Sequence, residues 1–437
     1  MSTPEELYEE LAEILSKRKD DEVLEIEILL PGLDPLLHDG SCIGITKKAL
    51  VQAFIVARRI FLEKLVRMNE EDILRTIRYH NSDDDDVVPA TEQGDDYSIA
   101  TEIILLFDCE HLTACNWRKR RLNALIKRSA VFSESTRGFS SDPDDDHRLL
   151  KLLERERSLM TTYLCSPLHR HTKSPTMWQH RLWVMTQLLK FKFRRDEQQI
   201  GRAAAGVSSE EDVQSLVLAE LAVVLRAGEQ HPKNYYAFSY MRQLHSAASR
   251  FVTGVTEAAV REGENSIELS LFSRLAESMV DRTLTWCLAH PRDISGWTFL
   301  FYLLDAIGPV DDNERDLLLQ RKKTVVDKVI HFAVKIAAWE GESLWTFADL
   351  MVRRFGPAIL PSFFSSCRLD DEMNTNSSLI DSNGETKAGG GRRVNDTIVL
   401  PDLRWKKLME KARGLRAAGV HVDNIESGQT GSSLDLE

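Results

Sequence analysis

One local pattern recurs along the chain and limits what it can fold into. In each copy a capping residue or a near equivalent is followed four positions later by a large apolar anchor. The anchors are Cys115 in TACNWRKRRL, Trp178 in KSPTMW, Phe238 in KNYYAF, Trp297 in RDISGW and Trp345 in EGESLW, at intervals of 48 to 63 residues. In three copies the residue four before the anchor is Ser174, Asn234 or Asp293, and the one before that is a base, Lys173, Lys233 or Arg292. Ser, Asn and Asp are preferred N-caps, worth about 1 kcal/mol, because the side-chain oxygen accepts an otherwise unpaired helix N–H. Pro175 falls at a first helical position, where its missing N–H costs nothing. Pro167, Pro232 and Pro291 stop the preceding helix from continuing. Each copy therefore reads as a turn that ends helix A, caps helix B and sets an anchor one turn into B.

Long amphipathic stretches precede the last four anchors: Leu149 to Leu164, Val213 to Leu225, Ile267 to Leu288 and Leu317 to Trp339. In the second of these, Val213, Leu216, Val217, Glu220, Leu221 and Val224 line one helical face. The chain is thus expected to be a series of helical hairpins. Its anchors are expected to face the preceding helix, each ring burying roughly 150–250 Å². Polar inserts, Phe132–His147 and Arg194–Asp212, loosen the period. With 13 prolines and 22 glycines among 437 residues, the composition also favours an all-α chain.

Three regions follow. Residues 1–110 hold a capped N-terminal helix in MSTPEELYEELAEIL, a short strand near Val23–Leu30 and a helix-rich stretch from Ile45 to Tyr79. Residues 111–365 hold the helical repeats. Residues 366–437 turn to Ser, Asn, Gly and Asp, which predicts a mostly disordered tail with one short amphipathic helix, Leu403–Ala418.

Composition narrows the function classes. A formal charge of −12 opposes bulk attraction to nucleic acid or anionic membrane. No apolar run reaches the roughly 20 residues of a membrane span, and the N-terminus lacks the features of a signal peptide, so a cytoplasmic location is expected. The six cysteines, Cys42, Cys109, Cys115, Cys165, Cys287 and Cys367, form no CxxC pair, which favours reduced, buried thiols over a zinc knuckle. Acidic runs at Asp83–Asp86 and Asp144–Asp146 lack calcium-loop spacing and read as solvated loops. There is no P-loop, GxSxG, HExxH or Cys/His metal set, so no metal or cofactor site is expected in this chain.

Hairpins whose second helix opens in this way resemble the repeats of protein prenyltransferase α subunits. KSPTMWQHRLW carries Trp178 with Arg181 three residues on, KNYYAFSYMR keeps Asn234 and an aromatic anchor, and CNWRKR keeps Arg118 behind Cys115. RDISGW and GESLW keep the cap position and the anchors Trp297 and Trp345. The KSPxxW and SGW forms, together with EIEILLP near the N-terminus, look most like the branch called prenyltransferase α subunit repeat-containing protein.

The resemblance implies an α-α superhelical crescent wrapped around a β subunit, which would carry zinc and the prenyl pocket. It implies an α-type subunit that supports transfer of an isoprenoid, geranylgeranyl being the expected one, from its diphosphate to a cysteine of a protein substrate. By position, the family's diphosphate-facing lysine corresponds to Lys173 and its histidine to Tyr236, whereas its tyrosine is replaced by Pro175. Lys173 reads first as a solvated base beside a cap, and Tyr236 as core or pocket rim. His180 could line the partner interface or be a satisfied structural histidine. The alternative for the whole chain is a non-catalytic helical-repeat interaction scaffold.

Overall fold

The computed structural model describes residues 3–64, 67–78, 93–135, 143–199, 205–252, 265–308, 314–365 and 404–417. They divide into two compact units, Met1–Met279 and Val280–Glu437. Helix dominates both, as expected for an all-α chain.

The first unit opens with α1 (Pro4–Ser16), whose N-cap Thr3 forms a reciprocal capping box with Glu6. A three-stranded sheet follows, built from β1 (Glu25–Leu29), β2 (Leu36–Asp39) and β3 (Cys42–Thr46) in the order β1-β3-β2, with β1–β3 parallel and β2–β3 antiparallel. The sequence predicts only the first strand. The other two are short, with turn glycines Gly32 and Gly40 at positive φ between elements, so their pairing emerges only in three dimensions. Helices α2 (Lys47–Glu63), α3 (Glu70–Arg78) and α4 (Gln93–Phe107) complete the N-terminal region, with Phe54 of α2 stacked on Phe107 of α4.

Strand β1 and the segment that leads into it are fastened to the repeats by three hydroxyls. Ser158 and Thr162 lie on one face of α6 (Pro143–Cys165), and Ser166 follows directly after its last residue. Ser158 Oγ donates to the Glu22 carbonyl, while the amides of Leu24 and Ile26 donate to Thr162 Oγ1 and Ser166 Oγ, each at 3.0 Å. Four residues of helix rise about 6.0 Å and two residues of strand about 6.6 Å, so the two periods run in step. An edge that would otherwise be open is thereby satisfied.

The hairpins of this unit are α4 with α5 (Leu112–Ser135), α6 with α7 (Pro175–Gln199), and α8 (Ala205–Gln230) with α9 (Tyr235–Val252). Both polar inserts are shorter than expected, because these helices run into them from each side. Asp144–Asp146 belong to the first turn of α6 rather than to a loop. Asp83–Asp86 lie outside the described residues.

Helix α10 (Asn265–Ala289) begins in the first unit and ends in the second, which continues with α11 (Ile294–Ala306), α12 (Glu314–His331), α13 (Glu342–Phe355), α14 (Ser362–Ser365) and α15 (Arg404–Ala417). Gly296 lets α11 approach the end of α10 closely: a Cβ there would sit 2.5 Å from the Trp286 ring. Helix α15 is the predicted tail helix, and it packs on α13 with Leu408, Ala412 and Leu415 buried. Arg413 adds a two-point ion pair to Glu340 at 2.8 and 2.6 Å. The rest of the predicted tail, residues 366–403 and 418–437 with Cys367, lies outside the described residues.

Candidate functional site

The repeat turns carry the candidate site, and their geometry begins with the caps. Ser174 Oγ accepts from the Met177 amide at 3.1 Å, Asn234 Oδ1 from Ala237 at 3.2 Å, and Asp293 Oδ1 from Ser295 at 2.8 Å. A further cap escapes the sequence pattern: His111 Nδ1, four residues before Cys115, accepts from the Ala114 amide at 3.1 Å. Imidazole is a rare cap, so its residue type alone carries no such signal.

Each tryptophan anchor is held by one recurring hydrogen bond. The indoles of Trp178, Trp297 and Trp345 donate to the carbonyls of Thr172, Pro291 and Trp339, six residues back, at 2.9, 3.0 and 3.0 Å. The anchor thus closes its own turn. Its ring then meets the following B helix, Trp178 against Tyr240 of α9 at 5.1 Å and Trp297 against Phe347 of α13 at 5.3 Å. These aromatic contacts run forward in the repeat. Cys115, Phe238 and Trp345 are buried as well.

The Thr172 carbonyl, which receives the Trp178 indole, also receives the next hairpin. Asn234 Nδ2 donates to Thr172 O at 2.7 Å, and Ser174 Oγ donates to Cys109 O, six residues before Cys115, at 3.1 Å. One cap side chain therefore does two jobs: its acceptor caps its own helix and its donor grips the previous turn.

Arg118 and Arg181, three residues after their anchors, are buried, with guanidinium groups that form ion pairs to the next A helix. Arg118 meets Glu156 of α6 at 2.6–3.1 Å and also donates to Thr101 Oγ1 at 2.8 Å. Arg181 meets Glu220 of α8 at 2.7 and 2.8 Å. Burial opposes ionisation of both glutamates. The arginine charge, with hydrogen bonds from His180 to Glu156 and from Tyr240 to Glu220, overcomes it and holds both carboxyls well below the usual range. His180 is fully buried and bonded to Glu156 at 2.6 Å, so it is a structural histidine of the first unit.

The two residues matched to the family's reacting groups lie at one end of adjacent hairpins. Lys173 ends a short 3₁₀ turn, His171–Lys173, and is half-buried. Tyr236 sits on the first turn of α9 and is 48% exposed, so it belongs to a rim rather than to the core. The Asn234–Thr172 bond sets the turn of α9 beside that of α7. Lys173 is close enough for its charge, after burial, to lower the pKa of His231, whose ring lies 4.4 Å from that of His169. His169 and His231 therefore lie together near Lys173, a grouping that the sequence does not predict. The only signal for them is a histidine close to the proline that ends each A helix. Pro175 stands at the first position of α7.

Among the described residues no group of three or more His, Cys, Asp or Glu is placed to hold a metal ion, and no helix is long and apolar enough to cross a membrane.

The chain folds as helical hairpins, and in the first unit Ser174 and Asn234 tie each turn to a carbonyl of the turn before. Residues 217–248, from the second half of α8 through most of α9, match the family model described as protein prenyltransferase alpha subunit repeat. The matched span contains Glu220, Asn234, Phe238 and Tyr240, the groups that cap, anchor and pair the third hairpin. The resemblance carried by KNYYAF therefore lies inside a span similar to that repeat. No curated protein matches the chain.

Proposed function

We propose that this chain acts as the α-type subunit of a protein prenyltransferase, supporting transfer of a geranylgeranyl group from its diphosphate to a cysteine of a protein substrate. A β subunit of geranylgeranyltransferase type supplies the lipid pocket and the zinc, which lowers the pKa of the acceptor thiol. The observation that carries this reading is the match of residues 217–248 to the prenyltransferase alpha subunit repeat, with Lys173 and Tyr236 at one end of adjacent hairpins.

As the C–O bond of the isoprenoid diphosphate breaks, negative charge grows on the leaving group. A fixed cation aimed at that charge lowers the barrier. Lys173 is the residue for that role, with Tyr236 donating one hydrogen bond from the neighbouring rim. The enzyme complex works in the cytoplasm in this reading.

Co-expression with candidate β subunits tests it. The expected result is a stable heterodimer that transfers radiolabelled prenyl groups, with Lys173→Ala slowing transfer while the heterodimer persists. A chain that stays monomeric with every β subunit would sink the proposal. Pro175, where the family places a tyrosine, favours the second reading of an interaction scaffold, which predicts heterodimers or other complexes with no transfer to lose.

A further inference from the structure

We propose that α15 is a detachable strap over a helix-binding seat on the second unit, and that the seat's other occupant is a partner's basic amphipathic helix, which must displace α15 to bind. The seat is formed by α13, α14 and the π-helical turn Phe332–Ile336 that follows α12, against all of which α15 packs. Among the described side chains of α15, Leu408, Ala412 and Leu415 are buried, at i, i+4 and i+7, so one narrow stripe holds the helix down.

The hold is weak by its own chemistry. The paired side chains of Arg413 and Glu340 are 54% and 45% exposed, and solvent screens such a pair until it contributes little. Arg416 Nη1 is buried with no hydrogen-bond partner among the described residues, a cost that undocking relieves. Isolated helices below roughly 12–15 residues are marginal in water, and α15 has 14, with Gly414, a poor helix former, inside it. The seat therefore holds α15 helical rather than the reverse. Residues 366–403 separate it from α14 in sequence, a length that extends to on the order of 100 Å, so connectivity does not press it into place.

The seat is shaped around one carboxylate. The π-helical turn is followed by Ala338 at φ 45°, a left-handed conformation that strains an alanine. Irregularities of both kinds cluster at functional sites. Here they set Glu340 immediately before Gly341, the N-cap of α13. Its Oε1 accepts from Arg413 Nε at 2.8 Å and from Arg416 Nη2 at 3.2 Å, and its Oε2 from Arg413 Nη2 at 2.6 Å. Lys411 adds its ammonium 5.2 Å from the centre of the Phe364 ring of α14. The pattern read is thus leucine at i and i+7, a small residue at i+4 and arginine at i+5 and i+8, the form of a helix-in-groove ligand.

The test adds a fluorescein-labelled peptide of residues 404–417 to the full chain and follows its anisotropy. The unaltered chain should bind it poorly, because α15 occupies the seat with the advantage of an intramolecular contact. The full chain with Leu408→Asp and Leu415→Asp, which undocks α15, should bind it about tenfold or more tightly than the unaltered chain does. Adding Glu340→Arg to that variant should abolish binding, and a peptide with Arg413→Glu and Arg416→Glu should restore part of it. Equal or absent binding by the two chains, or binding indifferent to Glu340→Arg, would overturn the proposal. Hydrogen exchange on the unaltered chain is independent of any variant's folding: amides of α15 should exchange roughly a hundredfold faster than those in the middle of α13. Matching rates would make α15 a permanent part of the second unit and overturn the strap. Neither readout involves prenyl transfer, so failure here leaves the prenyltransferase reading untouched.

Discussion

Arg181 on α7 and Glu220 on α8 form a two-point ion pair, Nε to Oε2 at 2.7 Å and Nη2 to Oε1 at 2.8 Å, with both side chains fully buried. Removing Glu220 leaves the Arg181 charge in the core without its carboxylate, and removing Arg181 leaves Glu220 only the more distant Arg157 at 3.8 Å; breaking such a pair costs about 3–5 kcal/mol, whereas replacing both by apolar groups of similar size is often neutral. Arg181→Ala and Glu220→Ala should each lower the free energy of urea unfolding by that amount, and Arg181→Met with Glu220→Leu should recover most of it. Equal losses in the single and double variants would show that the pair is not the unit of stability.

Asn234 separates capping from inter-hairpin bonding. Aspartate keeps the oxygen that caps α9 but cannot donate to Thr172 O, and it sets a carboxylate against that carbonyl. Asn234→Asp should therefore destabilise by about 1–3 kcal/mol despite being an excellent cap, a cost typical of losing one buried partner. Thermal unfolding of the two chains side by side measures it; an unchanged midpoint would mean that the Thr172 contact contributes nothing.

The hydroxyls of α6 predict a local effect. Thr162→Val keeps shape and removes the acceptor of the Leu24 amide, a loss of about 1–3 kcal/mol for a buried donor left unpaired. Hydrogen exchange at Leu24 should quicken well before exchange in the cores of α6 and α7. Uniform quickening across all three would argue that β1 is not held independently by this ladder.

Two buried imidazoles set the acid limb of stability. Burial lowers the pKa of His171, and lowers that of His245 from its ordinary value of 6.5 to about 4, while His171 and His245 hold the carbonyls of Leu105 and Phe272, each at 2.9 Å. Between about pH 6.5 and about 4 the unfolded chain binds more protons than the folded one. Stability is therefore complete above pH 6.5 and falls as pH drops through that window. Urea unfolding from pH 7.5 to 4 should show this slope, and His245→Gln should flatten it; a slope indifferent to that substitution would assign the proton uptake elsewhere.

Thiol reactivity should follow burial. Desolvation pushes Cys115 up to about 12 and Cys165 to about 11, so neither supplies thiolate near neutral pH. Cys42 is exposed. Iodoacetamide at pH 8, followed by mass spectrometry, should modify Cys42 in the native protein and reach Cys115 and Cys165 only after denaturation. Native labelling of Cys115 would contradict the packing of the first anchor.

The hairpin series is legible in the chain because its signals are local. Asn234 caps an amide three residues away, Pro175 starts a helix at its own position, and Val213 to Val224 declare a face within one helix. Such features depend on neighbours a few bonds off, and neighbours along the chain are fixed by the sequence. His111 was missed as a cap and β2 and β3 as strands, since residue type and length there carry little signal.

At the candidate site, the positions of Lys173 and Tyr236 could be read from their offsets to the anchors. The nearness of His169 and His231 could not, because it arises where two turns meet. The sequence alone determined an all-α chain of capped, anchored hairpins, through caps and periods that act within one or two helical turns. Tertiary structure alone decided which glutamate neutralises each arginine and which carbonyl each cap grips. Glu156 and Glu220 lie 38 and 39 residues beyond their arginines, and nothing local marks a helix glutamate as buried until a cation is brought beside it.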